Sequence, residues 1–240
     1  MKLSQVFSPP AHRTAVGAVA FALAAALPAL AADQNEFSQA EKLVFTDHHL
    51  ANVKAPGSLH YTFVKSGSQE AGFRDDVQID VKRSAEKCCS VQGKFLSGER
   101  EVKLPEIAEA QPNPVILYFL EYDIREMARL TSRKSGNYFR NRIRKTLVDE
   151  AKVRDTTVTF QGRQVPAQEV TLTPYATDPA RNRYERYADK RYTFVLASAV
   201  PGGVYQVRTA LPGALPSDAP VMEETLTLAG PDAAPAGNKK

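Results

Sequence analysis

"NPVILYFLEYDIREMARLTSRKSGNYFRNRIRKTL", residues 113–147, decides the fold. The flanking sequence alternates apolar and polar residues, whereas this stretch repeats at three and four, so a helical unit is set into a chain of strands. Asn113 can cap a helix and Pro114 suits its first position. Leu117, Leu120, Ile124, Met127 and Ala128 then recur as one apolar stripe, and the first turns, "VILYFL", are apolar nearly all round, which predicts deep burial. A stop around "SRKSGN" and a second helix from about Tyr138 to Glu150, with Phe139, Ile143 and Leu147 on one face, predict a helical hairpin over 114–150.

Working outward, "LHYTFVKSG" and "FRDDVQIDVKRS" read as an antiparallel pair with one wet face, because Val77, Ile79 and Val81 alternate with Gln78, Asp80 and Lys82. "CCSVQGKFLSG" and "EREVKL" predict two further short strands around Ser97-Gly98. After the hairpin, "TTVTFQGRQVPAQEVTLTPY" turns at Gln161-Gly162-Arg163, and "RYTFVLASAVPGGVYQVRTAL" places Pro201 and Gly202 at the centre of a type II turn. "VMEETLTLA" supplies a last strand. The expected fold class is α+β, a curved antiparallel sheet (half-barrel) of about 8–10 strands with a central helical hairpin. The hairpin needs an apolar partner, which the concave face of the sheet provides. Leu117, Leu120, Ile124, Met127 and Phe139 are therefore expected to line the interior.

The N-terminus carries Lys2, His12 and Arg13, then "TAVGAVAFALAAALPAL" and an Ala-x-Ala site, in the order of a secretory signal cleaved after Ala31 or Ala32. The apolar run is short for a spanning helix, and no later segment approaches that length. The expectation is an exported, periplasmic, non-transmembrane protein with one domain over 32–229 and a disordered tail over 230–240. Removing residues 1–31 from 240 leaves 209 residues, enough for one hydrophobic core, and reduces the balance of 31 basic to 27 acidic residues to 29 to 27. Bulk charge therefore points to no partner, and only local clustering can.

Clustering occurs between Arg125 and Lys145, where eight basic residues face one acid, Glu126. Glu121 sits four before Arg125 and Glu126 three before Arg129, so those two arginines have local partners. Arg133, Lys134, Arg140, Arg142, Arg144 and Lys145 have none in sequence and form a candidate rim for anionic groups. "DPARNRYERYADKRY", 178–192, adds basic residues among tyrosines, a composition suited to anionic headgroups or an acidic protein surface, or to a solvated face with surface ion pairs. Nucleic acid is not an expected partner of an exported chain.

Catalytic motifs are absent: the sequence has no Gly-x-Ser-x-Gly, His-Glu-x-x-His or Cys-x-x-Cys and no phosphate-cradling glycine loop. No cofactor is implied and no catalytic residue is named. His48, His49 and His60 are the weak metal candidates, since adjacent side chains on an extended strand diverge. Asp75, Asp76 and Asp80 read as turn and wet-face residues. Cys88 and Cys89 are adjacent, closer than the usual disulfide window, so a vicinal bridge would require a distorted turn. The plain reading is a strand carrying two small hydrophobic residues, with free thiols or a bridge to another chain as the redox options.

The order of exported signal, strand meander, helical insertion and further long strands, over most of residues 43–229, resembles the periplasmic half-barrel proteins related to the lipoprotein carrier LolA. "NPVILYFLEYDIREMARLT" and "VPGGVYQVRT" also look like segments of uncharacterised proteobacterial envelope proteins. The resemblance implies a curved sheet filled by helices that move aside for an acyl chain, and hence a hydrophobic ligand or lipidated cargo. Three classes of function are thereby set up. The first is a non-enzymatic binder of a hydrophobic or anionic lipid-like ligand, serving envelope maintenance. The second is a structural interaction module docked on an acidic envelope protein, and the third a histidine-dependent metal protein or hydrolase.

Overall fold

Each alternating stretch becomes a strand because one parity of its side chains is apolar and the other polar. The computed structural model describes residues 37–230 apart from 84–87, 103, 133–135 and 216, and among them are eight strands. These are β1 (Gly57–Ser66), β2 (Phe73–Arg83), β3 (Cys88–Phe95), β4 (Lys152–Phe160), β5 (Arg163–Leu172), β6 (Arg191–Leu196), β7 (Val204–Leu211) and β8 (Met222–Leu228). They form one curved antiparallel sheet in the order β3-β2-β1-β8-β7-β6-β5-β4. Two meanders, β1 to β3 and β4 to β8, are joined where β1 pairs with β8 from Tyr61↔Leu228 to Ser66↔Glu223. The expected signal segment and the tail beyond Gly230 lie outside the described residues.

The turns follow local chemistry. Gln161 and Gly162 both have positive φ, +50° and +74°, the two-residue turn whose twist matches flanking antiparallel strands. At the β6–β7 connection the Gly203 N–H donates to Val200 O at 3.0 Å with Gly202 at φ +72°, so Pro201-Gly202 takes the expected turn. The described residues of "EREVKL" form no strand. A 3₁₀ turn at Gly98–Arg100 interrupts the stretch, and Val102 bridges back to Phe95.

Between the edge strands β3 and β4 the chain crosses the sheet as α2 (Val115–Leu130) and α3 (Asn137–Asp149). Asn113 begins α2 as its spacing predicted, its Oδ1 accepting from the Val115 N–H at 3.1 Å. Aromatic side chains pack in the interior between helices and sheet. Phe63, Phe95, Phe119 and Tyr122 meet with centroids 5.3 Å (Phe63–Tyr122) to 6.1 Å (Phe63–Phe119) apart. Phe139 of α3 packs on Tyr175 and Tyr184 at 5.6 and 5.8 Å. Full burial of each such side chain contributes roughly 1.5–3 kcal/mol. Gly93 of β3 makes room for α2, since a Cβ there would stand 2.1 Å from the Tyr118 ring.

A short N-terminal segment completes the fold: α1 (Gln39–Glu41), a π turn (Lys42–Thr46) and a 3₁₀ turn (His49–Asn52). Ser38 and Glu41 form a reciprocal capping box at its start. Among the described residues no helix is long and apolar enough to cross a membrane.

Candidate functional site

The N-terminal segment is fastened to the end of the sheet where β6 turns into β7. Asn52 Nδ2 donates to Ser198 O (2.9 Å) and Val200 O (2.7 Å), and its Oδ1 accepts from the Gly202 N–H (2.9 Å). His49 is held between Leu43 O, 2.9 Å from Nε2, and the Asn113 N–H, which donates to Nδ1 at 3.2 Å. Burial holds this imidazole below its ordinary pKa, against the Leu43 hydrogen bond and Asp47. Asn113 Nδ2 donates to Tyr61 Oη (2.8 Å) and Gly202 O (2.9 Å), linking helix start, β1 and turn. Glycine is favoured at 203 by its φ of +69°, and a Cβ there would also stand only 3.0 Å from the His49 ring.

Between this segment and strands β4 to β6 opens a cleft of about 610 Å³. Leu43, Ala51, Pro166, Ala167, Leu196 and Ala197 supply its apolar wall. Its polar residues include Asp47 and His48, from the N-terminal segment, and Asp155 and Gln168, register partners on β4 and β5. Gln168 Nε2 donates to Asp155 Oδ1 at 3.3 Å. Asn52 and His49 also border the cleft, but their hydrogen bonds are spent on building it.

The expected interior residues are placed unequally. Leu120, Ile124, Met127 and Phe139 are buried, but Leu117 is 44 % exposed and does not face inward. The buried arc of α2 instead runs through Val115, Phe119, Tyr122 and Asp123, and "VILYFL" is apolar on too many sides for periodicity to choose its face.

Among the candidate rim residues, Arg133 and Lys134 lie outside the described residues. Three others already have protein acceptors. Arg140 forms a fork on Glu121 with both bonds at 2.8 Å, taking the partner expected for Arg125 and holding the Glu121 carboxyl below its usual pKa. Arg142 donates to Pro174 O and lies 3.2 Å from buried Asp178, and Lys145 pairs with Asp149. Arg144 is exposed, with no acidic partner among the described residues.

The largest departure from the sequence reading is a buried ionic network. In the basic, tyrosine-rich stretch 178–192, Tyr184, Tyr192 and Lys190 are core residues, not a surface for anions. Lys190, Asp123 of α2 and Glu224 of β8 are each 0 % exposed. Lys190 Nζ hydrogen-bonds Asp123 Oδ1 and stands 3.6 Å from Glu224 Oε2. Tyr192 Oη donates to Asp123 Oδ2 at 2.6 Å, and the Tyr175 hydroxyl lies 3.0 Å from that of Tyr192. Tyr122 and Thr209 donate to Glu224 at 3.4 and 3.2 Å. Lys65 Nζ, 3.7 Å from Glu224 Oε1, carries the network outward through Glu70 and Glu126 to Arg129, which bonds both acids. Burial works to lower the Lys190 pKa, yet Asp123 and Glu224 keep its ammonium above the ordinary value. Burial raises Glu224 against the pull of Lys190, with Asp123 adding to the rise.

His60 is exposed, both ring nitrogens of His49 are engaged, and among the described residues no group of three His, Cys, Asp or Glu is arranged to hold a metal. Asp75, expected on a wet turn, is 5 % exposed and accepts from the Ser97 N–H and hydroxyl and from Arg100 Nε. Cys89 is wholly buried and disulfide-bonded, so of the redox options left open by the sequence the free thiol does not apply to it.

The eight-stranded antiparallel sheet crossed by a helical hairpin defines an α+β half-barrel. No family model matches the sequence, and no curated protein does. The crystal structure of the Mycobacterium tuberculosis lipoprotein LppX is similar to this chain at 13 % identity and a TM-score of 0.32, over 73 % of this chain and 86 % of that one.

Proposed function

We propose that this chain is an exported, non-enzymatic protein of the periplasm that receives a hydrophobic, lipid-like ligand or lipidated cargo. The cleft beside the N-terminal segment carries the reading. Its volume of about 610 Å³ falls in the range of small-molecule sites, and apolar side chains from three separate elements converge on it. The leader-like residues 1–31 support export, and the engagement of both His49 nitrogens argues against His49 as a base in the cleft. Leu120, Ile124, Met127 and Phe139 form the inner packing against which a longer chain would extend if α2 shifted.

A second reading, a structural interaction module of the envelope, is favoured by the aromatic packing between the hairpin and the sheet. The neutral apolar fluorophore N-phenyl-1-naphthylamine separates the two. The carrier reading expects a saturable rise in its emission near one probe per protein, lost in Ala51→Trp, which fills the cleft from an exposed position without lowering the melting temperature. No rise with folded wild-type protein discards the carrier reading in favour of the module. A rise undiminished in the variant removes the cleft as the site.

A further inference from the structure

Charge in the cleft is distributed oppositely to the charge on α3. The described residues lining it include no lysine or arginine, whereas Asp47 enters from the N-terminal segment and Asp155 from β4. Both side chains are exposed, so their charges need no protein counter-ion. The Asp47 carboxylate has no hydrogen-bond or ion-pair partner among the described residues, and that of Asp155 has only the neutral amide of Gln168, which leaves its Oδ2 open. Of the candidate rim cations on α3, Arg140, Arg142 and Lys145 are held by Glu121, Asp178 and Asp149. A carboxylate or phosphate ligand entering the cleft would meet two like charges with no lysine or arginine among the described lining residues to offset them.

Resting on the carrier reading above, we infer that the cleft selects amphiphiles whose polar end is a protonated amine. The apolar body lies against Leu43, Leu196 and Pro166, and the ammonium is held at the mouth by Asp47 and Asp155. An ammonium offers three donors to an environment that presents open acceptors, so charge and hydrogen-bond complementarity coincide. Two carboxylates about 5 Å from a unit charge, in surroundings close to water, shift binding by about tenfold. Salt should reduce that preference.

The test is displacement of N-phenyl-1-naphthylamine by three ligands of equal chain length, decylammonium, decanoate and decanol, each below its micelle concentration at low ionic strength. Decylammonium should displace the probe at about one-tenth of the decanoate concentration, with decanol between them. In Asp47→Asn/Asp155→Asn the three should converge, with decanol unchanged. Equal displacement by the amine and the acid, a preference for decanoate, or a preference that survives in the double variant overturns the inference while leaving the carrier reading in place. If neither the probe nor any of the three binds folded protein, the carrier reading falls and takes this inference with it.

Discussion

Lys190→Met is the perturbation that most directly tests the buried network. Methionine keeps an unbranched side chain of similar length and removes only the ammonium, which hydrogen-bonds Asp123 and lies 3.6 Å from Glu224. With Lys190 present, two buried acids face two cations, Lys190 and Lys65. Without it, Asp123 keeps its hydrogen bond from Tyr192 but has no counter-charge, and Glu224 retains only Lys65 at 3.7 Å. Breaking a buried pair by deleting one partner costs about 3–5 kcal/mol, because an uncompensated charge stays in a medium that solvates it poorly. For a domain of this size that corresponds to a drop in melting temperature of roughly 6–20 °C.

The deficit must also depend on pH. Glu224 has a folded pKa above its ordinary 4.5, so the folded state holds the proton more tightly than the unfolded chain does. Such a group stabilises fully below the unfolded value, and that contribution is lost as pH rises through the folded value. Removing Lys190, the strongest influence holding Glu224 down, raises the folded value further and widens the window. Urea unfolding at pH 5.5 and 8 should therefore show a larger loss for Lys190→Met at pH 8, with the m-value unchanged. Lys145→Met, which breaks the exposed pair with Asp149, is the control and should cost no more than about 0.5 kcal/mol. A Lys190→Met loss below about 1 kcal/mol at pH 8, or one equal at both pH values, would refute the assignment of Lys190 as the counter-charge of this core.

Asp75→Ala removes the acceptor shared by Ser97 and Arg100 and should cost about 1–3 kcal/mol in urea unfolding at pH 7. Burial works to raise the Asp75 pKa, but hydrogen bonds from Ser97, the Asp76 N–H and Arg100 hold it below 3.8, so its contribution is present above that value and lost as pH falls through the folded one. Wild type and variant should accordingly converge as acid is added. Arg142→Ala, which frees Pro174 O and the buried Asp178 carboxylate, should lose about 1–3 kcal/mol, while Arg144→Ala stays within about 0.5 kcal/mol of wild type.

What could be read along the chain was what depends on near neighbours. The hairpin, its Asn113 cap, the Gln161-Gly162 turn and the Pro201-Gly202 turn rest on residues within four positions of each other, and all four occur. Leu117 was misplaced because an all-round apolar turn carries no directional information. Arg140 found Glu121, nineteen positions back, only because the hairpin folds α3 alongside α2, and that pairing does not follow from helical spacing. The cleft was not legible at all. It exists because residues 43–52 dock on a distant strand turn, through the hydrogen bonds of an asparagine in a segment with no clear periodicity.

The buried charges were partly legible, by parity. Leu59, Tyr61 and Phe63 face inward on β1, and Lys65 continues that row. Met222, Leu226 and Leu228 do the same on β8, with Glu224 among them. Asp123 lies between Leu120 and Ile124 on the buried arc of α2. Each is a charge at an apolar position, and taken singly each argues against the element that contains it, because an isolated buried charge is far too costly to keep. Taken together they name one another. An acid on the helix, an acid on the sheet and a lysine at an inward position can be buried only if they find counter-charges, so the same parity that places each strand also points to α2 crossing β8 and β1 near these residues. Lys190 lacks that signal, since it lies on a connection rather than a strand, 67 positions from Asp123. Its burial follows only from the sheet order that brings β6 and β7 beside β8.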